Sequence, residues 1–262
     1  MDRPPVAVVT GAARGIGAAT VHTLAAGGWR VVAVDLCHDD PALDYPLGTR
    51  EQLAAVAAPY EGAVVDVPGD VRNPEDLTAA VELARERFGG LDAAVAAAAV
   101  MTGGRPLWET GTADWAPMFD IGVHGMANLA RAAIPAMLAA PEPRTGRFIG
   151  IASSAGHHGM WHLSGYNAAK HAVVGLIKGL AHDLRGTGIT ASAVSPGSTR
   201  TALLTETARL YDLADVDEFA AHQLVDRILE PEEVAATVAW LCTPESAAVT
   251  GSVVHADGGF LP

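Results

Sequence analysis

The sequence contains few cysteines, few lysines and few aromatic residues. Cys37 and Cys242 are its only cysteines in 262 residues, which excludes a disulfide framework and favours the reducing cytoplasm. Aromatic residues make up 5% of the chain. Lys170 and Lys178 are the only lysines among 17 basic residues, and the others are all arginines. A lysine is therefore a noteworthy residue in this chain.

Positive charge and long hydrophobic runs are also scarce. The 17 basic residues stand against 30 acidic ones, and the formal net charge of −13 argues against nucleic acid and anionic membrane as partners. The longest uncharged apolar run, Ala93–Met101, is too short to span a bilayer. No signal-peptide pattern precedes Val6, so we expect a cytoplasmic protein.

The chain has enough apolar sequence for one large core. Half of its residues (50%) are hydrophobic, and short apolar segments alternate with helix-length segments. This alternation predicts an α/β fold with a doubly wound parallel sheet of the Rossmann type, in a single domain spanning residues 1–262. The predicted strands are Val6–Thr10, Arg30–Asp35, Ala63–Val67, Ala93–Val100, Arg147–Ser153, Thr190–Ser195 and Ser252–His255. The predicted helices are Ala18–Ala26, Pro74–Phe88, Ala113–Leu138, Ser164–Arg185 and Pro231–Cys242.

Two segments interrupt this alternation. An insert at about residues 37–61 follows the second strand, holds three prolines and contains a possible short helix at Thr49–Ala58. A variable segment at about residues 199–230 follows the sixth strand and is expected to shape the substrate site. Both lie after the carboxyl ends of strands, where functional loops gather in such sheets.

A glycine-rich turn joins the first strand to the first helix in the run from Thr10 to Gly17. Glycines let the backbone approach a pyrophosphate, and the helix N-terminus offers free N–H groups. A plain tight turn would also use glycine, but the strand–turn–helix context favours a dinucleotide site. The candidate contacts are Gly11, Arg14, Gly15, Ile16 and Gly17.

Asp35, at the end of the second strand, indicates NAD rather than NADP. Its carboxylate can accept hydrogen bonds from the ribose hydroxyls, with Leu36 beside it. A 2′-phosphate there would be disfavoured by roughly 4 kcal/mol before solvent relaxation, although Arg14 is a counter-signal. Asp70, followed by Val71, is expected near the adenine; a turn or cap role is its alternative.

Three residues form a candidate catalytic group. Tyr166 and Lys170 are four residues apart on a predicted helix and share a face, and Ser153 ends the fifth strand. Ionising a free tyrosine at pH 7 costs roughly 4 kcal/mol, which a nearby ammonium and a positively charged nicotinamide can offset. We expect Tyr166 to be the general acid–base, Ser153 to hold the substrate oxygen and Lys170 also to bind the nicotinamide ribose.

These motifs together resemble the short-chain dehydrogenase/reductase family over essentially the whole chain. The resemblance adds the Pro196–Thr201 run, which contacts the nicotinamide end in that family. It also implies backbone contacts after the fourth strand and a homotetramer. The cofactor contacts implied in this way are Ala97, Ala98, Pro196, Gly197, Thr199 and Thr201.

Two positions depart from the family pattern. Ala96–Ala99 stands where the family usually has Asn-Asn-Ala-Gly, and Gly122 stands where an asparagine usually holds a relay water. His124 and Asn128 are the nearby side chains that would have to compensate. These departures motivate an alternative in which the chain is a non-catalytic NAD-binding redox sensor.

A narrower resemblance is to the mycofactocin-associated branch of the family. It is carried by Asp35–Leu47, by Ala155-Gly156-His157 and by Pro196–Thr201. It implies that the insert folds over the adenosine half of NAD, that NAD exchanges slowly, and that mycofactocin accepts the electrons of an alcohol. An insert that never touches the cofactor is the alternative.

The leading interpretation is an NAD-dependent dehydrogenase that interconverts an alcohol and a ketone or aldehyde. A freely exchanging 3-oxoacyl-thioester reductase is the rival enzyme. No metal is expected, because adjacent residues such as Cys37-His38-Asp39-Asp40 rarely converge on one ion. We expect His157, His158 and His162 to line the substrate pocket with Trp161, a solvated loop being the alternative.

Overall fold

The computed structural model describes residues 3–261 and shows a parallel sheet between two layers of helices. Its seven strands run in the order β3-β2-β1-β4-β5-β6-β7, and every neighbouring pair is parallel. This confirms the predicted doubly wound sheet. The strands are β1 (Val6–Thr10), β2 (Arg30–Asp35), β3 (Val64–Pro68), β4 (Ala93–Ala96), β5 (Arg147–Ile151), β6 (Thr190–Pro196) and β7 (Val253–Ala256).

The helices cover both faces of the sheet and bury it. They are α1 (Gly15–Ala26), α2 (Arg50–Ala57), α3 (Pro74–Phe88), α4 (Thr112–Pro117), α5 (Gly125–Leu138), α6 (Ser164–Asp183), α7 (Ala202–Leu210) and α8 (Pro231–Cys242). In β1, Val6 and Val8 pack in the core beneath α3, α5 and α6, while Ala7 and Val9 pack beneath α1, α2 and α8. Burial on both faces explains why the strands are apolar throughout rather than alternating.

Local capping explains why helix α3 begins and ends where the sequence predicts. The side chain of Asn73 accepts a hydrogen bond from the Glu75 N–H at 3.1 Å, and Pro74 occupies the first turn. Gly89 ends the helix with a φ of 85°, a left-handed conformation that glycine adopts without strain.

Several predicted boundaries differ from the structure, and two of them have a clear cause. Strand β4 ends at Ala96 rather than Val100, because the next amides, Ala97 and Ala98, donate to the Thr10 hydroxyl instead of to a strand. Helix α1 begins at Gly15 rather than Ala18, because the Ala18 N–H already donates to the Arg14 carbonyl at 3.3 Å. The glycine turn therefore includes the first helical turn.

The predicted long helix over 113–138 is a continuous helical run with a widened centre. Helix α4 leads into a π-helical segment, Met118–His124, which continues into α5. The widening begins after Pro117, which has no N–H to donate to the preceding turn. Within residues 3–261, no helix is both long and apolar enough to cross a membrane.

The two irregular segments both fold against the carboxyl edge of the sheet. The insert runs as an irregular strap to a capping box at Thr49, where α2 begins, and ends in a 3-10 turn at Ala58–Tyr60. The variable segment contains α7 and a 3-10 helix, Val216–His222. It has its own small apolar cluster, formed by Leu204, Ala208, Phe219 and Ile228.

Candidate active site

The carboxyl edge of the sheet opens into a cavity of about 570 Å³. The insert, the loops after β1 to β6 and the variable segment line it. The structure brings every site residue predicted from the sequence to this lining. These residues are Gly11, Arg14, Gly15, Ile16, Gly17, Asp35, Leu36, Asp70, Val71, Ala97, Ala98, Ser153, Tyr166, Lys170, Pro196, Gly197, Thr199 and Thr201.

The glycine turn is packed too tightly to carry side chains. A Cβ on Gly11, whose φ is +67°, would lie 2.7 Å from Ala98 Cα, and one on Gly17 would lie 2.0 Å from the Gly11 carbonyl oxygen. The N-cap of α1, Arg14, makes no capping hydrogen bond from its side chain, and the first turn holds no acidic residue. The positive end of the helix therefore faces the cavity with N–H groups that suit an anionic pyrophosphate.

Asp35 is enclosed by the glycine turn on one side and by the insert on the other. Its Oδ2 accepts a hydrogen bond from the Ala13 N–H at 3.0 Å, and a Cβ on Gly48 would lie 3.0 Å from its Oδ1. Arg14 donates to the Pro46 carbonyl oxygen at 3.0 Å. One of the five N–H donors of the guanidinium that could bind a 2′-phosphate is therefore engaged by the insert.

The carboxylate of Asp70 has a structural partner. Arg72 donates to it from Nε at 2.9 Å and from Nη2 at 2.7 Å, and its Nη1 donates to Asp40 of the insert at 2.6 Å. The Ala42 N–H and the Arg72 guanidinium hold the pKa of buried Asp40 below its ordinary value. Asp70 thus borders the cavity, but its carboxylate binds Arg72 in the same turn. Arg72 in turn binds Asp40, which links the turn to the insert.

The Thr10 hydroxyl supports the alanine turn after β4. Its Oγ1 accepts hydrogen bonds from the N–H groups of Ala97 at 3.3 Å and Ala98 at 3.4 Å. The same hydroxyl donates to the Val95 carbonyl oxygen at 3.4 Å. The turn is therefore fixed without the asparagine side chains that the family usually has there.

Ser153 and Tyr166 meet at the middle of the cavity. Ser153 lies two residues beyond β5, and its Oγ accepts a hydrogen bond from the Ala155 N–H at 3.1 Å. Tyr166 lies in the first turn of α6 and is 8% exposed. Burial raises the pKa of Tyr166 to about 12, although hydrogen bonding with Ser153 acts in the opposite direction.

Lys170 lies one helical turn after Tyr166 and is also buried. Its Nζ donates to the Ile151 carbonyl oxygen at 3.0 Å and lies 5.7 Å from the centroid of the Tyr166 ring. Burial lowers the pKa of Lys170 to about 8. The expected lowering of the Tyr166 pKa by Lys170 is not found in the chain alone, because desolvation dominates both groups.

No nearby side chain replaces the family's relay asparagine. A Cβ on Gly122 would meet no atom within 4 Å. Asn128 donates to the Val71 carbonyl oxygen at 3.0 Å and accepts from Arg131 at 2.7 Å. His124 pairs with Asp120 on the surface, so neither Asn128 nor His124 is available for the relay.

The histidines of the loop before α6 do not line this cavity, so that expectation is wrong. Trp161 lines it, but His157 and His158 do not, and His162 lines a separate cavity. His157 packs instead against His255, with ring centroids 4.8 Å apart, because the loop turns toward β7. Across residues 3–261, no three His, Cys, Asp or Glu side chains are placed to hold a metal ion.

Most of the apolar lining of the cavity could not be predicted from the sequence. The position of the variable segment after β6 predicts that it borders the site, but which of its residues face the cavity depends on how α7 packs. In the insert, Leu47 and Gly48 line the cavity, and only their place in that segment pointed to them. The apolar side chains that were not predicted include Leu47, Met101, Met160, Leu163, Leu203, Leu204, Phe219 and Phe260.

Comparisons with known proteins agree with this geometry. A family model described as Enoyl-(Acyl carrier protein) reductase matches residues 11–261. An uncharacterized oxidoreductase of Mycobacterium tuberculosis is 33% identical, covering 100% of this chain and 98% of its own. A cyclohexanol dehydrogenase of an Acinetobacter species is 32% identical, covering 97% of this chain and 94% of its own.

A similar solved structure is carveol dehydrogenase from Mycobacterium avium in complex with NAD. It superposes with a TM-score of 0.92 at 31% identity and covers 98% of each chain. The chain belongs to the short-chain dehydrogenase/reductase family.

Proposed function

We propose that this chain is an NAD-dependent oxidoreductase that interconverts an alcohol and a ketone or aldehyde. The observation that carries the proposal is the arrangement of Ser153, Tyr166 and Lys170 around one cavity that also contains the glycine turn and Asp35. Relatives of the chain include proteins named as dehydrogenases of cyclohexanol and carveol.

The cavity fits NAD. The uncapped start of α1 suits the pyrophosphate, and Asp35 suits the adenosine ribose hydroxyls. Arg14, the cation that would favour NADP, donates a hydrogen bond to Pro46, so the insert competes for its guanidinium. When bound, NAD supplies the nicotinamide that exchanges a hydride with the carbinol carbon.

The residues of the chain handle the proton and the substrate oxygen. The Ser153 hydroxyl holds that oxygen next to Tyr166, which removes the proton in oxidation and returns it in reduction. A pKa of about 12 leaves Tyr166 almost entirely protonated at neutral pH, so the ionised state that acts as the base must be favoured by added positive charge. Buried Lys170 and an oxidised nicotinamide are the sources of that charge in the proposal.

The substrate end of the cavity favours an apolar alcohol. The side chains there include Met101, Leu163, Leu203 and Phe219. Among the residues of the variable segment that line the cavity, His222 is the one acidic or basic group. Desolvating a charged substrate among them would be unfavourable. We therefore propose compact, uncharged, ring-containing alcohols as the substrate class.

The insert is proposed to retain NAD. Three hydrogen bonds tie it to loops that border the cavity: Arg14 to Pro46, Arg72 to Asp40, and the Met101 N–H to the Tyr45 hydroxyl at 2.9 Å. Cofactor release would require local opening of this strap, which slows exchange. Bound NADH would then be reoxidised in place, with mycofactocin as the proposed electron acceptor.

The test is mass spectrometry of undialysed protein followed by a single-turnover assay. We expect NAD to co-purify and cyclohexanol to reduce it once per site unless an artificial electron acceptor is added. Rapid multiple turnover with added NADH and a 3-oxoacyl thioester would favour the reductase alternative. Cofactor binding with no hydride transfer to any alcohol or ketone would favour the redox-sensor alternative.

We also propose a cytoplasmic homo-oligomer, most simply a tetramer. The outer sides of α5 and α6 carry small and apolar residues, and Cβ atoms on Gly175 and Gly179 would meet nothing within 4 Å. Leu138, on α5, is exposed. Such faces suit close packing of a second copy around a two-fold axis. Light scattering that finds a monomer at micromolar concentration would exclude this.

A further inference from the structure

A second cavity lies behind the substrate end of the first. It has a volume of about 370 Å³ and is bordered by the insert, the loop after β4, helix α4 and helix α7. Within the described residues 3–261, Met101 is the one residue that lines both cavities. The two cavities therefore adjoin at Met101.

Met101 is contacted from two sides. It is 2% exposed, and its N–H donates to the Tyr45 hydroxyl at 2.9 Å. Its sulfur lies 3.4 Å from the hydroxyl oxygen of Thr207 in α7, whose proton is donated to the Leu203 carbonyl oxygen at 2.8 Å. The insert therefore anchors the backbone of Met101, and the variable segment packs against its side chain.

We propose that Met101 sets the length of the substrate that the active site accepts, and that Tyr45 is the positioning residue that holds it in place. The inference rests on the proposed alcohol dehydrogenase function. With Met101 in place, the apolar cavity ends behind a compact alcohol. Without its side chain, the first cavity joins the second, and a longer alcohol fits.

The second cavity differs in chemistry from the first. Its lining includes the ion pair between Arg105 and Asp114 at 2.8 Å and the hydroxyl of Thr110. Glu206 is 7% exposed there and pairs with Arg209. An extended substrate must therefore be apolar near the reacting carbon and carry a polar group at its far end.

Two alcohols distinguish the two cavities. Cyclohexanol fills only the first in the proposal, whereas 4-(4-hydroxyphenyl)cyclohexanol adds an apolar ring with a polar hydroxyl tip. Met101→Ala is expected to raise the ratio of kcat/KM for the extended alcohol to that for cyclohexanol by at least about tenfold. The rates are those of steady-state turnover, measured by the absorbance change of an artificial electron acceptor that reoxidises the bound NADH.

Met118→Ala is the matched control. Met118 is also 2% exposed and borders the second cavity, but it does not line the first. Both substitutions remove buried methionine side chains and lower the melting temperature. Only Met101→Ala should change the ratio; equal ratios in the two variants and the wild type would overturn the proposal.

Tyr45→Phe tests the positioning role. It leaves the buried Met101 N–H without its acceptor, so we expect the ratio to rise several-fold through a lower KM for the extended alcohol. Tyr60→Phe is its control, because the Tyr60 hydroxyl donates to the His22 carbonyl oxygen at 3.3 Å, outside both cavities. An unchanged ratio in Tyr45→Phe would remove Tyr45 from the inference.

A wild-type protein that oxidises neither alcohol would contradict the proposed function without testing the role of Met101. Calorimetric binding of the same two alcohols to NAD-loaded Met101→Ala and Met118→Ala would then decide the size limit. Tighter binding of the extended alcohol by Met101→Ala alone supports the inference, and equal binding by both variants overturns it.

Discussion

The guanidinium of Arg14 donates a hydrogen bond to the carbonyl oxygen of Pro46 over 3.0 Å. This contact joins the glycine turn to the insert, so the loop expected to hold the pyrophosphate is tied to the segment expected to cover the adenosine. Arg72 makes a parallel tie to Asp40 from the turn after β3. In the proposed function, Arg14 would therefore affect both the retention of NAD and the discrimination against NADP.

Arg14→Ala is expected to speed release of bound NADH. Loss of one exposed hydrogen bond from a charged donor should increase the release rate about fivefold. Arg50→Ala is the control, since Arg50 lies on the same insert and pairs with Asp66, away from the cavity lining. Stopped-flow fluorescence of NADH measures both rates. Release within milliseconds from the wild type would contradict the retention proposal altogether.

Asp35 should account for a preference for NAD over NADP of roughly 10²-fold in stripped protein. Its carboxylate would repel a 2′-phosphate, and the hydrogen bond from Arg14 to Pro46 competes with compensation by Arg14. Asp35→Ala should reduce the difference between the affinities for NAD and NADP. It weakens NAD binding and removes the charge that repels the 2′-phosphate of NADP. Calorimetry with both cofactors checks this, and equal wild-type affinities would show that Arg14 leaves Pro46 to bind the phosphate.

Tyr166→Phe should lower single-turnover hydride transfer by at least about 10²-fold while leaving NAD binding and the fold intact. The ring stays buried and only the hydroxyl is lost. Tyr211→Phe is a suitable control, since its hydroxyl donates to the Trp161 carbonyl oxygen at 2.6 Å at the edge of the cavity. Near-normal transfer in Tyr166→Phe would exclude Tyr166 as the acid–base.

Lys170 should make the stability of the cofactor-free protein depend on pH. Burial lowers its pKa from 10.5 to about 8, so between these values the folded chain has lost a proton that the unfolded chain still holds. Raising the pH across this window therefore stabilises the folded state relative to Lys170→Met, by on the order of 1 kcal/mol per pH unit.

Urea unfolding of the wild type and Lys170→Met at pH 7, 8 and 9 measures this effect. The difference between the two proteins isolates Lys170 from other groups, such as Cys242, whose pKa burial raises to about 12. A difference in the free energy of unfolding that does not change with pH would show that Lys170 is not desolvated.

The sequence predicted the boundaries of an element wherever the residues that fix them lie in the same segment. The Asn73 cap and Gly89 end α3 as predicted, since both act within a single turn of backbone. The end of β4 was missed, because the amides of Ala97 and Ala98 find their acceptor on Thr10, a residue from another strand. Hydrogen bonds between distant segments leave no periodic trace in the sequence.

The sequence by itself determined the doubly wound sheet and the edge at which the site lies, because alternating buried strands and helices permit few topologies. It also determined the glycine turn and the Tyr166–Lys170 spacing, which are local. Only the tertiary structure decided that Arg14 binds the insert, that desolvation governs the pKa values of Tyr166 and Lys170, and that two cavities adjoin at Met101. Those outcomes depend on packing between segments far apart in the chain, and burial and contact distances exist only after folding.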